Sequence, residues 1–199
     1  MIFKQFKAVA PVLIAVAAMF SVVQSTMAQD APRVKFATTA GDFVVEVYPD
    51  KAPKTVENFL QYVKDKHYNG TIFHRVIGNF MIQGGGYDAK YIEKKTRAPV
   101  VHEGREALAK GGPRNVVGTL AMARTSDPQS ATAQFFINVK DNAFLDPTAQ
   151  QPGYTVFGKV VGGMEVIQKI KTTPTGSGGP FPSDVPKTPI LINSATLVK

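Results

Sequence analysis

The chain has 199 residues and a formal net charge of +8, with no cysteine and no tryptophan. The absence of cysteine excludes disulfides, thiol catalysis and cysteine-ligated metals. The cations are spread along the chain and form no block, so solubility accounts for the charge and no nucleic-acid partner is expected.

The first segment reads MIFKQFKAVAPVLIAVAAMFSVVQSTMAQDAP. Lys4 and Lys7 precede an apolar run from Ala8 to Val23, and Thr26-Met27-Ala28 supplies small residues at the outer positions of a cleavage site. This is the pattern of a secretory signal peptide, residues 1–28, cleaved after Ala28. The run is shorter than the about 20 apolar residues of a spanning helix, and no stable membrane anchor is expected. Residues 29–199 then form one domain, exported and placed in a bacterial periplasm. Losing Lys4 and Lys7 removes two charges and takes +8 to +6.

Val34 to Thr39 and Phe43 to Tyr48 read as two strands around a turn. Phe43, Val45 and Val47 alternate with more polar neighbours, as a half-buried strand requires. Pro53 suits the first turn of a helix, and Val56, Phe59, Leu60 and Val63 follow on one face at helical spacing. Short strands are then expected at Thr71 to Val76, Phe80 to Gln83, Gly118 to Met122, Phe135 to Val139 and Thr155 to Val160. Gly163 to Ile170 reads as a second helix, with Met164 and Ile167 buried beside Val166 and Ile170. Ile190 to Val198 is the last strand. Two segments, Tyr87 to Val117 and Thr172 to Pro189, read as long irregular loops, a class that tends to be functional or mobile. Many short strands with two helices argue for a closed antiparallel barrel, which leaves no open sheet edge; a sandwich is the alternative.

In the stretch Gln134-Phe135-Phe136-Ile137-Asn138, Phe135 and Ile137 share one face while Gln134, Phe136 and Asn138 share the other. Barrel closure makes Phe135 and Ile137 core, which fills the lumen and leaves no room there for a small molecule. Met81 and Gln83 likewise oppose Ile82. The outer set Met81, Gln83, Gln134 and Phe136, with Arg75 from the neighbouring strand, describes a shallow apolar cleft with a cation at its rim. Other chemistry finds no support. His67, His74 and His102 match no metal spacing. Gly84-Gly85-Gly86 lacks the lysine of a phosphate loop. Ser126 and Ser130 sit in no nucleophile elbow, and no paired carboxylates occupy the cleft strands.

The blocks FHRVIGNFMIQGG, GTLAMAR, SATAQFFINV, FLD and VFGKVVGGMEVI, in that order, resemble the cyclophilins, the peptidyl-prolyl cis-trans isomerases. The resemblance runs from about Val34 to Val198, and the exported, cysteine-free form looks like the family's periplasmic bacterial branch. It implies an all-β fold, an eight-stranded closed antiparallel barrel capped by two α-helices, with the active cleft outside the barrel. It implies catalytic roles for Arg75, Phe80 and Gln83. It implies substrate binding by Met81, Ala123, Arg124, Gln134, Phe136, Phe144, Leu145 and Tyr154. No cofactor and no metal are implied. The implied partners are proline-containing, unfolded or partly folded exported proteins, met by a monomer. A non-catalytic proline-peptide-binding or chaperone module on the same barrel is the alternative.

Three positions depart from the best-known eukaryotic pattern. Phe144 stands in place of tryptophan, Arg124 in place of asparagine and Tyr154 in place of histidine. The first change removes an indole donor, so weak cyclosporin binding is expected. The other two alter the cleft rim and bear on the residues that flank proline.

Overall fold

The computed structural model describes residues 1–2 and 31–198. The expected leader and its cleavage position therefore lie outside the described residues, apart from residues 1–2. All eight expected strands are present, and they close into one barrel. In chain order they are β1 (Arg33–Thr38), β2 (Gly41–Val47), β3 (Thr71–Ile77), β4 (Met81–Asp88), β5 (Thr119–Met122), β6 (Phe135–Asn138), β7 (Val156–Gly162) and β10 (Leu191–Val198). Around the barrel they run β1-β10-β3-β4-β6-β5-β7-β2, and every neighbouring pair is antiparallel.

The two segments expected to be irregular both contain structure. Residues 172–189 form a hairpin of β8 (Thr175–Gly178) and β9 (Phe181–Pro186), a two-stranded sheet outside the barrel. Its Gly- and Pro-rich strands show no apolar alternation. They are held by a tertiary contact instead: the Phe181 ring stacks on His74 at 5.3 Å and meets Tyr87 edge-on at 5.1 Å. Residues 87–117 include the end of β4 and a short helix, α2 (Gly104–Ala109). Among the described residues three α-helices therefore accompany the barrel where two were expected. The helix is too short for a clear apolar stripe, since only Gly104 and Ala107 are buried.

The lumen is packed solid, as the alternation requires. Phe36 stacks on Phe43 with centroids 4.9 Å apart, and Phe36, Phe59 and Tyr68 all meet Phe135 at 5.5–6.2 Å. Phe135 and Ile137 are fully buried. Helix α1 (Pro53–Lys64) inserts Val56, Phe59 and Val63 into this core, while Leu60 stays half-buried. Its first turn has no local side-chain cap. The buried Glu103 carboxylate supplies one from far along the chain, accepting from Thr55 N and Thr55 Oγ1 at 2.8 Å and from Lys54 N at 3.2 Å. Helix α3 (Met164–Lys171) buries Val166, Ile167 and Ile170, while Met164 is half-buried against the same core.

One irregularity positions the site. In β3, Phe73 points into the core, so strict alternation would send Arg75 inward as well. The β3–β4 register shifts between Phe73 and Arg75: Phe73 pairs Gly84, whereas Arg75 pairs Gln83. The extra residue is His74. Such a bulge re-aims the side chain that follows it. Arg75 is thereby exposed, and Val76, opposite Ile82, returns to the core.

Candidate active site

A second apolar cluster lies on the outside of the barrel, separate from the lumen. Met81, Ala121, Phe136, Leu145 and Val156 are its buried members, with Phe80, Ala123 and Tyr154 half-buried against them. Strand pairing builds it, since Phe136 in β6 lies between Gln83 of β4 and Ala121 of β5. Because side chains alternate, Ile82, Phe135 and Ile137 face the lumen and Met81 and Phe136 face this outer floor. Over the floor opens a cleft of about 110 Å³ lined by Arg75, Phe80, Met81, Gln83, Ala123, Arg124, Phe136, Leu145 and Tyr154.

Nine of the eleven site residues expected from the sequence are thus brought together. The other two flank them. Gln134 accepts a hydrogen bond from Gln83 Nε2 at 3.0 Å and lines an adjoining cavity. Phe144, 64% exposed, stacks on Phe80 at 5.6 Å and extends the apolar wall outward. The adjoining cavity shares Gln83, Ala123 and Arg124 with the first and adds Glu93, Thr96 and Thr132. One side of it therefore comes from the loop of residues 87–117. Gly86 makes room for this arrangement: a Cβ there would lie 2.5 Å from Gln134 Cγ. The glycine run has a packing role in β4, and no helix N-terminus follows it.

A buried polar network, unassigned by sequence reasoning, holds the cleft's far wall. Asn142 Nδ2 donates to Phe80 O at 2.9 Å and to Asn138 Oδ1 at 2.7 Å, and Asn138 Nδ2 donates to Thr119 Oγ1 at 2.9 Å. Asp146 accepts from Asn115 N at 2.8 Å and from Arg114 Nη1 at 3.1 Å. These bonds fix the 3₁₀ turn Ala143–Leu145 that carries Phe144 and Leu145. The one available signal was Asn138, a polar residue on the same strand face as Phe136.

The cleft is cationic. Among the described residues the ion pairs are Arg33–Glu46, Lys35–Asp42, Lys51–Asp50, Arg97–Asp65 and Arg114–Asp146, and none engages Arg75 or Arg124. Among the described residues no carboxylate lines the first cleft. Arg124 lies over the Tyr154 ring at 4.5 Å, and Tyr154 meets Phe136 edge-on at 5.4 Å. The histidines are built into the scaffold. His67 Nε2 lies 3.1 Å from Gly85 O, and His102 Nε2 lies 3.2 Å from Gly153 O. His74 sits between Tyr87 and Phe181 with Nδ1 unpartnered. Burial, and next the adjacent Arg75 cation, lower the His74 pKa to about 4. Among the described residues no cluster of His, Asp or Glu is arranged to hold a metal ion.

The family of cyclophilin-type peptidyl-prolyl cis-trans isomerases matches residues 33–197. The chain belongs to the cyclophilins. One similar cyclophilin is the peptidyl-prolyl cis-trans isomerase cyp18 of Streptomyces antibioticus, 53% identical over 83% of this chain and 98% of that protein. Another is peptidyl-prolyl cis-trans isomerase B of Escherichia coli K12, 51% identical over 82% of this chain and 98% of that protein. Among solved structures, a cyclophilin-type isomerase of Cryptosporidium parvum, determined in the presence of the dipeptide Ala-Pro, superposes with a TM-score of 0.65. It is 26% identical, covering 84% of this cyclophilin and 99% of that chain.

Proposed function

We propose that this cyclophilin isomerises X-Pro peptide bonds in the outer cleft, with Arg75 as the central catalytic residue. The carrying observation is the position of Arg75: opposite Gln83, at the edge of an apolar floor, and without a carboxylate partner among the described residues. The planar peptide bond resists rotation with a barrier of about 20 kcal/mol. Twisting it breaks conjugation and returns a lone pair to the proline nitrogen. A guanidinium at that nitrogen donates a hydrogen bond that is stronger in the twisted state than in the planar one. Binding that differs in this way lowers the barrier, and a donor already in place loses nothing to reorganisation.

The other residues hold the substrate. Phe80, Met81, Phe136 and Leu145 form an apolar socket sized for a pyrrolidine ring. Gln83 lies opposite Arg75 in the β3–β4 pair and is itself held by Gln134. Ala123, Arg124 and Tyr154 form the rim, and Phe144 prolongs the wall. No bond is cleaved and no proton is transferred, so the reaction needs neither nucleophile nor cofactor. Arg75→Ala should keep the fold and lower kcat/KM on an Ala-Pro peptide about a hundred- to a thousandfold. Unchanged turnover in a folded variant would remove Arg75 from the mechanism. A folded wild type that binds proline peptides without accelerating them would make this a binding module.

The substrates we propose are proline segments of newly exported proteins, whose folding waits on isomerisation that takes tens of seconds uncatalysed. The leader pattern of residues 1–28 supports a periplasmic location, and the absence of an indole at Phe144 supports weak cyclosporin binding. Intact mass of protein recovered from the periplasm should correspond to a single chain beginning at Gln29. Recovery of the uncleaved chain from the cytoplasm would reject the export reading.

A further inference from the structure

We propose that Arg124 gives the cleft a charge preference: acidic residues beside the proline are favoured, and lysine or arginine there is disfavoured. This rests on the isomerase reading of the same cleft and adds a substrate class to it.

Arg124 follows β5 and stands in the wall common to both cavities. Its guanidinium is held on several sides. Cζ lies 4.5 Å from the centre of the Tyr154 ring. Nε and Nη2 donate to Gly153 O at 3.2 and 2.8 Å, and Nη1 donates to Thr125 O at 2.8 Å and to Ser126 O at 3.4 Å. The anchors are themselves fixed. Tyr154 N donates to Leu145 O at 3.0 Å, and its ring abuts Phe136 on the socket floor. Gly153 has φ +62°, and a Cβ there would lie 2.6 Å from Leu145 O, so this position requires glycine.

Every one of these partners is a carbonyl oxygen or a ring face. They orient the cation and leave its charge uncancelled. A guanidinium has five N–H donors, and the two bonds to Gly153 occupy Nε–H and only one of the two Nη2–H groups. Arg75 adds a second uncompensated cation to the same cleft. Among the described residues Glu93 is the one carboxylate lining the adjoining cavity, and it is exposed to solvent, which screens it. His102 meets the same Gly153 carbonyl, and burial lowers its pKa, so it is uncharged at neutral pH. A peptide carboxylate beside the proline therefore meets the anchored Arg124 cation, with the exposed Arg75 in the same cleft, and a peptide ammonium meets the same charges as repulsion.

The test compares kcat/KM on Ala-X-Pro-Ala and Ala-Ala-Pro-X peptides, with X as Glu, Gln or Lys. The proteins are the wild type, Arg124→Gln and Arg124→Lys, each at low and high salt. In at least one series the wild type should turn over the Glu peptide about five- to tenfold better than the Lys peptide at low salt, with the ratio shrinking as salt screens the charges. Arg124→Gln should bring the ratio towards one, and Arg124→Lys should restore it. A wild-type ratio near one in both series overturns the inference, as does a ratio equal in wild type and Arg124→Gln. Should Arg124→Gln not fold, a salt-independent wild-type ratio is sufficient to overturn it. The Gln peptides separate the two readings: if the wild type accelerates none of the peptides, the isomerase reading fails and this inference falls with it, whereas acceleration with flat ratios refutes the charge preference alone.

Discussion

Replacing His74 by phenylalanine should flatten the acid dependence of stability. His74 is 3% exposed, lies between Tyr87 and Phe181, and has its pKa lowered to about 4 from 6.5. The unfolded chain takes up a proton on His74 near pH 6.5, whereas the folded chain does so only near pH 4. Between those values the unfolded state holds more protons, so stability falls as pH falls. The contribution is complete above about pH 6.5 and lost by about pH 4. At about 1.36 kcal/mol per pKa unit, the shift corresponds to about 3 kcal/mol. Phenylalanine keeps an aromatic ring in the layer and removes both the titration and the unpartnered Nδ1. Urea unfolding curves collected between about pH 7 and pH 4 give the free energies, provided the slope m is unchanged. The wild type should lose about 3 kcal/mol more than His74→Phe over that range. Burial also lowers the pKa of His67 and His102, so the variant retains a residual slope of the same sign. Parallel curves for the two proteins would refute the assignment of this shift to His74. The measurement also bears on function, because His74 is the bulged residue that turns Arg75 outward.

Glu103→Ala should cost about 2 kcal/mol, because it strips the buried Thr55 amide and hydroxyl and the part-buried Lys54 amide at the start of α1 of their acceptor; a shift of the urea midpoint within error would show that water replaces the carboxylate without penalty. Phe144→Trp should tighten cyclosporin binding about fivefold, the equivalent of one added hydrogen bond. A titration showing equal affinity in the two proteins would remove the indole donor as the explanation.

Much of the barrel was legible in the sequence because pleating imposes a local rule. Successive side chains alternate across a strand, so Phe135 and Ile137 had to separate from Gln134 and Phe136, and Met81 and Gln83 from Ile82. Closure of the sheet then made one set core and the other an outer floor. Helix α1 was equally legible, from Pro53 and the spacing of Val56, Phe59 and Val63. The family blocks named the members of the cleft, since they keep their order along the chain.

What alternation could not place was anything decided by contacts distant in sequence. The outward turn of Arg75 depends on a bulge at His74, and that bulge shows only in the pairing with β4. The β8–β9 hairpin carries no strand pattern and is held through Phe181 against His74 and Tyr87. Glu103 caps a helix that begins 50 residues earlier in the chain, with its carboxylate on the amide of Lys54 and its neighbour. The resemblance places Arg124 at the cleft rim and says nothing of how its side chain is held. Its stacking on Tyr154 and its bonds to Gly153 O exist only after the chain returns to it 29 residues later. The sequence by itself determined which strand faces are apolar, because that follows from the pleat, and its family blocks supplied the barrel and most of the cleft residues. Only the tertiary structure decided how Arg75 is aimed, through the register of β3 against β4, and how Arg124 is held, because strand pairing, hydrogen bonds and ring stacking require partners that folding alone brings within reach.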